Sequence, residues 1–97
     1  MQFEWDQNKN IANVEKHGID FEDASKVFET PMLVALDTRQ DYGEDRWIGL
    51  GFLERHVVVI VYTYRSSHRI RVISMRKGMH HERLQFEEFL RHRLGAD

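Results

Sequence analysis

The chain has 97 residues, carries a formal net charge of −2, contains no cysteine, and is 41% hydrophobic and 31% charged. These values are typical of one small globular domain, which we expect over residues 1–97, and they exclude a disordered chain, a disulfide framework and a thiolate metal site. There is no apolar run near the roughly 18 residues of a membrane span and no signal-peptide pattern, so we expect a cytoplasmic protein without membrane association.

The N-terminal residues predict a strand followed by a helix. Residues 3–5 form a short candidate edge strand, and Asp6 is a suitable N-cap for the helix. Gly18 supplies the left-handed residue that commonly ends a helix. At helical spacing, Ile11 and Val14 are expected to face the core.

A second helix is expected after Asp20, which is again a suitable N-cap. Phe21, Ala24 and Phe28 fall on one face of this helix, and Pro31 follows its end. Both helices are expected to pack on the sheet that follows.

Four strands and one helix complete the predicted fold. Residues 32–37, 46–53, 57–64 and 69–76 have the apolar patterns of strands, and residues 79–94 have the pattern of a C-terminal helix. The strand at 57–64 is apolar on both faces, so it is expected at the centre of the sheet. The fold class is therefore α+β: N-terminal helices and a C-terminal helix on an antiparallel meander.

Charge is distributed unevenly along the chain. Residues 1–54 hold five Lys/Arg and twelve Asp/Glu, whereas residues 55–97 hold nine and four. Residues 65–77 carry five cations and no carboxylate: Arg65, Arg69, Arg71, Arg76 and Lys77. Such a strip attracts a phosphate backbone or is simply the solvated face of a strand, and composition leaves both open.

The predicted meander also groups charged residues in space. The start of its first long strand lies beside the end of the second and the start of the third. Two groups are expected at opposite ends of the sheet: Glu44, Arg46, Arg65 and Arg69 at one end, and Arg76 with Lys77 at the other. A carboxylate among guanidiniums is either a surface ion-pair cluster that contributes little stability or a site for an anionic phosphate.

The first predicted helix has a polar side formed by Lys9, Asn13, Lys16 and His17. Lys16 and His17 occupy the last turn, where the helix dipole favours cations and free carbonyls accept hydrogen bonds. The same two side chains can instead present a proton-transfer group to a substrate. The spacing alone leaves both roles open.

Five short motifs occur in an order that resembles the BrnT family: W-D-x-x-K at 5–9, K-H-G at 16–18, F-x-x-A-x-x-x-F at 21–28, G-E-x-R at 43–46 and R-I-R-V-I-S-x-R at 69–76. That family consists of small toxins of type II toxin–antitoxin modules, similar in fold to RelE-type ribonucleases. The resemblance implies a toxin that cleaves mRNA to arrest growth and translation. It also implies a neutralising antitoxin of the ribbon-helix-helix DNA-binding type, through which operator DNA is reached. The family's polar motif positions are here Lys16, His17, Glu44, Arg46, Arg65 and Arg76.

These residue types support RNA cleavage without a metal ion or cofactor. Glu44 or His17 is a candidate base for the ribose 2′-OH, and His17 or Lys16 is a candidate acid for the leaving 5′-oxygen. Arginine matches the phosphate oxygens and stays protonated. The predicted catalytic residues are Lys16, His17, Glu44, Arg65 and Arg76, and the predicted RNA-binding residues are Lys9, Arg46, Arg69, Arg71 and Lys77.

Other interpretations stay open at this point. Trp47, Tyr62 and Tyr64 are expected either to stack on RNA bases or to pack in the core. The His-His-Glu run at 80–82 is not expected to hold a metal, because adjacent helical residues point in different directions and the spacing differs from known helical zinc motifs. The competing function is a non-catalytic module that binds a partner and joins it on DNA.

Overall fold

The computed structural model describes residues 1–93 and contains five strands and three helices in that range. In chain order these are β1 (Gln2–Glu4), α1 (Gln7–His17), a 3-10 turn (Phe21–Asp23) leading into α2 (Ala24–Phe28), β2 (Leu33–Leu36), β3 (Trp47–Leu53), β4 (His56–Ser66), β5 (Arg69–Lys77) and α3 (His80–Arg93). The predicted elements are confirmed, and the expected participation of Leu94 in the last helix lies outside the described residues. Within residues 1–93, no helix combines the length and the apolarity needed to cross a membrane.

All five strands form one sheet in the order β1-β5-β4-β3-β2. Strands β2 to β5 are consecutive antiparallel neighbours, so the predicted meander is confirmed and β4 lies at its centre. The first strand pairs parallel to β5, with Phe3 opposite Ile70, so the sheet is mixed rather than purely antiparallel. Because β1 and β5 are far apart in sequence, no turn between them dictates an antiparallel direction.

The two faces of the sheet are covered by different helices. On the α1–α2 face, Ile60 and Val72 pack with Phe21 and other residues of the α2 segment. On the α3 face, Leu50 and Val59 pack with Phe86, which is fully buried. Since α3 packs on β3, the α3 face stays open beyond it, toward β5.

Two glycines on β3 let the α2 segment approach the sheet. A Cβ on Gly51 would lie 2.8 Å from Cγ1 of Val27, and one on Gly49 would lie 2.6 Å from Cε of Met32. Both separations are shorter than any ordinary carbon–carbon contact. Gly51 therefore lets Val27 of α2 approach the sheet, and Gly49 leaves room for the Met32 side chain that follows α2.

The ends of α1 follow the predicted capping pattern. The side chain of Asp6 accepts a hydrogen bond from the backbone N–H of Lys9 at 3.2 Å. Gly18 has the left-handed φ of 70° and donates its N–H to the carbonyl of Val14 at 2.8 Å. Both helix boundaries thus have the local causes that the sequence indicated.

The inner face of α1 differs from the prediction. Ile11 and Val14 are 53% and 40% exposed, whereas Asn10 and Asn13 are buried. The reason is that α1 packs along the edge of β5, where backbone groups need polar partners. The amide of Asn13 accepts from the N–H of Met75 at 3.2 Å and donates to its carbonyl at 2.9 Å.

Candidate functional site

The predicted gathering of charge at one end of the sheet is confirmed. The two carboxylate oxygens of Glu44 are held by different guanidiniums: Oε2 by Nε of Arg46 at 3.1 Å, and Oε1 by Nη1 of Arg65 at 3.2 Å. The G-E-x-R motif supplies the first pair, and the end of β4 supplies the second. Glu44 is therefore a hydrogen-bonded bridge within the cluster.

Glu4, which no sequence motif indicated, joins the same cluster from β1. Its carboxylate lies 2.8 Å from Nη1 of Arg71, 3.4 Å from Nη1 of Arg69 and 4.0 Å from Nε of Arg65. The hydrogen bond from Arg71 lowers the pKa of Glu4, assisted by Arg69 and opposed by desolvation. We call the group the sheet-end cluster: Glu4, Glu44, Arg46, Arg65, Arg69 and Arg71. Glu4 could be assigned to it only by knowing that β1 pairs with β5.

Arg76 has a carboxylate partner from α3 rather than from its own strand. Its Nη1 and Nη2 donate to the two oxygens of Glu82 at 2.8 and 2.9 Å. This bidentate bond raises the pKa of Arg76 and lowers the pKa of Glu82. The Arg76 guanidinium is thus held in one orientation above the sheet.

Lys77 was grouped with Arg76, but the two side chains are on opposite sides of the sheet. Arg76 is opposite Val59, on the α3 face, whereas Lys77 is opposite Val58, which belongs to the core beneath α2. Consecutive residues of a strand alternate between faces, which explains the separation. Lys77 instead lies by the β3–β4 turn, near His56.

The open part of the α3 face forms a cavity of about 260 Å³, which we call the arginine groove. Its floor is β-sheet surface and its walls carry charge: the lining includes Val59, Val61, Ser74, Arg76, Glu82 and Arg39. A mixed apolar and cationic lining suits a ligand that has both an apolar ring and an anionic group.

A second, shallower depression follows the edge of β5, and we call it the edge groove. It brings Lys9, Lys16 and His17 of α1 beside Ile73 and Ser74. The predicted polar side of the helix is therefore confirmed, because Lys9, Asn13, Lys16 and His17 all line this groove, where Asn13 is buried. Within residues 1–93, Lys9, Lys16 and His17 form no salt bridge.

Ser74 lines both grooves. It therefore marks the place where the edge groove, with the polar side chains of α1, adjoins the groove that contains Arg76. The sheet-end cluster lies further along the same face, at the other end of β5. The sequence-predicted residues thus occupy three adjoining places on the protein, and Lys77 lies apart from them.

The aromatic candidates lie on the α1–α2 face. Trp47 is opposite Tyr62 across β3 and β4, and both pack in the core there. Burial raises the pKa of the Tyr62 phenol to about 12. Tyr64 is 48% exposed and contacts the edge of the Tyr62 ring. Core packing is therefore the observed role of Trp47 and Tyr62.

The His-His-Glu run at 80–82 is separated by its contacts, since Glu82 points to Arg76. Within the described part of the chain, no three His, Asp or Glu side chains are grouped closely enough to hold a metal ion.

The loop between β2 and β3 adds a buried carboxylate that the sequence analysis did not single out. The Asp37 side chain is 0% exposed, and Nη2 of Arg39 lies 2.8 Å from it. The Tyr42 hydroxyl donates to the same carboxylate at 2.9 Å, and the Tyr42 ring supports the guanidinium of Arg46 at 4.3 Å. The available signal was the close spacing D-x-R-x-x-Y, in a segment with no strand or helix periodicity.

Comparison with known proteins gives a consistent result. The family model described as "Ribonuclease toxin, BrnT, of type II toxin-antitoxin system" matches residues 5–82. The crystal structure of the Brucella abortus ribonuclease toxin BrnT superposes with a TM-score of 0.64 at 26% sequence identity, covering 81% of this chain and 97% of that one. A sequence search among curated proteins gives no match.

Proposed function

The chain belongs to the BrnT family, the ribonuclease toxins of type II toxin–antitoxin systems, and from that premise we propose a metal-independent endoribonuclease whose cleavage site lies at Ser74. The observation that carries this proposal is the position of Ser74 between the two grooves. A phosphate bound at Ser74 would lie between Arg76 in one groove and the last turn of α1 in the other.

His17 is the better candidate for proton transfer in this arrangement. Both oxygens of Glu44 already accept hydrogen bonds from guanidiniums, whereas His17 is half-buried at the edge groove. An imidazole also accepts and donates protons near neutral pH. We therefore assign the base to His17 and leave Glu44 as the residue that orients Arg46 and Arg65.

The proposed reaction is an internal transesterification. His17 takes the proton of the ribose 2′-OH, the oxygen attacks the adjacent phosphorus, and the bond to the 5′-oxygen breaks. Lys16 protonates that leaving oxygen, and Arg76 neutralises the charge that develops on the phosphorane. The products are a 2′,3′-cyclic phosphate and a 5′-hydroxyl.

The rest of the RNA is proposed to follow the α3 face toward the sheet-end cluster. Arg65, Arg69 and Arg71 lie there with nitrogen atoms partly available to phosphates, and Lys9 flanks the other side. A single strand suits this surface, because a small domain reads neither groove of an RNA helix well.

The toxin acts with a cognate antitoxin, as its family implies. We propose that this antitoxin is a ribbon-helix-helix protein, that the complex contacts operator DNA through it, and that both act in the cytoplasm. The support is the same ordered set of motifs, from W-D-x-x-K to R-I-R-V-I-S-x-R. Co-purification of the toxin with the product of the neighbouring reading frame would identify the partner.

The first prediction concerns the reaction itself. The purified protein should cleave single-stranded RNA in excess EDTA and leave 2′,3′-cyclic phosphate ends. Arg76→Ala should lower the rate by about 10²-fold or more, the loss expected for one group that stabilises the transition state. Lys77→Ala is the matched control, since its side chain lies on the opposite face, and it should stay near wild type.

The ends of the RNA fragments decide between mechanisms. Cleavage that returns only when divalent ions are added, or fragments with 3′-hydroxyl ends, would contradict the proposed reaction.

A further inference from the structure

We propose that Arg39 and Arg76 form a clamp for two neighbouring RNA backbone phosphates across the arginine groove, with Arg76 binding the scissile phosphate and Arg39 binding the one next to it. This inference rests on the proposed RNA cleavage and assigns a function to a loop residue that the predicted site did not include. Both guanidiniums line the same cavity of about 260 Å³.

Arg39 is held in place by an unusual arrangement for a surface residue. The buried carboxylate of Asp37 accepts from the backbone N–H, Nε and Nη2 of Arg39 at 3.1, 2.9 and 2.8 Å. The Arg39 side chain itself is 64% exposed. Burying a carboxylate is costly unless it is fully hydrogen-bonded. Here the three hydrogen bonds from Arg39 offset that cost. The same bonds fix the Arg39 guanidinium so that it faces solvent at the groove.

The loop that carries Arg39 is held by hydrogen bonds where it leaves β2 and where it enters β3. Asp37 donates its N–H to the carbonyl of Arg46 at 2.7 Å, which closes the loop at its base. The hydroxyl of Thr63 on β4 donates to the carbonyl of Asp45 at 2.6 Å. Arg39 is therefore presented by a loop tied to the α3 face.

The two arginines repeat the same construction on opposite walls. Glu82 holds Arg76 through two nitrogens, as Asp37 holds Arg39. Among residues 1–93, Nη1 of Arg39 and Nε of Arg76 have no hydrogen-bond partner. Each guanidinium therefore keeps a donor for a ligand after its carboxylate has been satisfied.

Like charges are held near each other in this groove. The charge of Arg39 opposes the rise of the Arg76 pKa that Glu82 causes, so the two guanidiniums repel each other in the free protein. Phosphates bound to the two guanidiniums offset this repulsion and gain charge-assisted hydrogen bonds. Because the floor between them is formed by Ile48, Val59 and Val61, a nucleotide can bring its phosphate to the walls and an apolar ring to the floor.

The two members of the clamp have different expected effects. Arg76 acts on the reacting phosphate, so its loss lowers kcat. Arg39 binds a phosphate whose charge does not change during the reaction, so its loss weakens substrate and transition state equally and raises KM.

The test measures binding apart from chemistry, using a 2′-O-methyl oligoribonucleotide that has no 2′-hydroxyl to attack. Arg39→Gln should weaken its binding about tenfold or more, the lower end for one charge-assisted hydrogen-bonded contact. The slope of log Kd against log salt concentration should fall by about 0.7, the value expected for the loss of one phosphate contact on a single strand. On cleavable RNA, KM should rise by a similar factor with kcat within about threefold of wild type.

Two further variants make the result specific. Gln40→Ala changes the next exposed residue of the same loop and should bind as wild type. Arg39→Lys should recover only part of the affinity, since an ammonium cannot be held by two parallel hydrogen bonds. The melting temperature of Gln40→Ala should match that of wild type. Arg39→Gln and Arg39→Lys should melt at a lower temperature, because both remove hydrogen bonds from the buried Asp37 carboxylate, so binding is measured well below their melting temperatures.

Several outcomes would overturn the clamp. The first is a folded Arg39→Gln variant that binds the oligonucleotide within twofold of wild type. The second is an equal loss in Gln40→Ala. The third is weaker antitoxin binding with unchanged RNA binding, which would assign these guanidiniums to the antitoxin. The oligonucleotide cannot be cleaved, so the binding assay does not depend on the proposed reaction. If metal-independent cleavage is not found, the assay still decides whether Arg39 binds RNA.

Discussion

His17 occupies the last turn of α1 and the rim of the edge groove at the same time. A cation at this position stabilises a helix by only about 0.3–1 kcal/mol when it is exposed. The C-terminus of α1 is already completed by Gly18, whose N–H bonds the carbonyl of Val14. The helix therefore depends little on the imidazole, which leaves proton transfer as the role that would require histidine.

Replacing His17 with lysine separates these two roles. His17→Lys keeps a cation for the helix end, so the urea midpoint of unfolding should stay close to wild type. RNA cleavage and growth arrest in cells without antitoxin should both be lost, because lysine does not titrate near neutral pH. His56→Lys, at the exposed start of β4, is the matched control and should retain both activities. Full toxicity from a folded His17→Lys variant would contradict proton transfer by His17 and leave the residue only a role at the end of the helix.

At the level of single residues, short motifs indicated positions that the fold places on two surfaces. Lys16 and His17 lie at the edge groove and Glu44 lies in the sheet-end cluster, whereas their roles in RNA cleavage stay predictions. Glu4 and Arg39 could not be found in this way. Glu4 reaches the sheet-end cluster through a parallel strand pairing, and Arg39 is held at the arginine groove by a buried carboxylate in an irregular loop.

The first helix shows how an element can contradict its own apolar pattern. Apolar spacing indicated that Ile11 and Val14 face inward, and this was wrong. The helix lies against a strand edge, where Asn13 replaces the missing neighbouring strand for Met75 and also donates to the carbonyl of Ile19 at 2.9 Å. Local periodicity identifies a helix, but it does not reveal whether the partner is a sheet face or a sheet edge.

Stability measurements should therefore reverse the usual ranking of apolar and polar positions in α1. Asn13→Leu leaves the N–H and the carbonyl of Met75 without partners, so it should cost about 2 kcal/mol or more. Ile11→Ala changes a side chain that is 53% exposed, so it should cost less than about 0.5 kcal/mol. Urea unfolding of the two variants checks the order. A larger loss for Ile11→Ala would mean that α1 packs through its apolar side after all.

Over the whole molecule, the folded chain brings its acidic first half against its basic second half. Glu4 and Glu44 come from the first half and hold arginines of β4 and β5. The basic strip therefore lacks carboxylates in sequence but not in space. The remaining excess of guanidinium on the α3 face is what makes this surface suitable for a polyanion.

The stability of the protein should consequently depend on pH in the acid range. Among residues 1–93, four carboxyl groups in different parts of the fold have a lowered pKa: Glu4 through Arg71, Asp20 through the N–H of Glu22, Asp37 through Arg39, and Glu82 through Arg76. A lowered folded pKa stabilises the native state fully above the unfolded value of about 4, and this contribution is lost as pH falls through the folded value.

The urea midpoint should accordingly be nearly constant from pH 7 to about 5 and fall steeply between about pH 4 and 2. Asp37→Asn removes one of the four groups, and its deficit relative to wild type should be largest at neutral pH and shrink as the wild-type Asp37 becomes protonated. The two curves should therefore converge in acid, as measured by urea unfolding of both proteins at each pH. Parallel curves down to pH 2 would mean that the Asp37 carboxylate does not stabilise the fold through its charge, and that the loop holding Arg39 is fixed by other contacts.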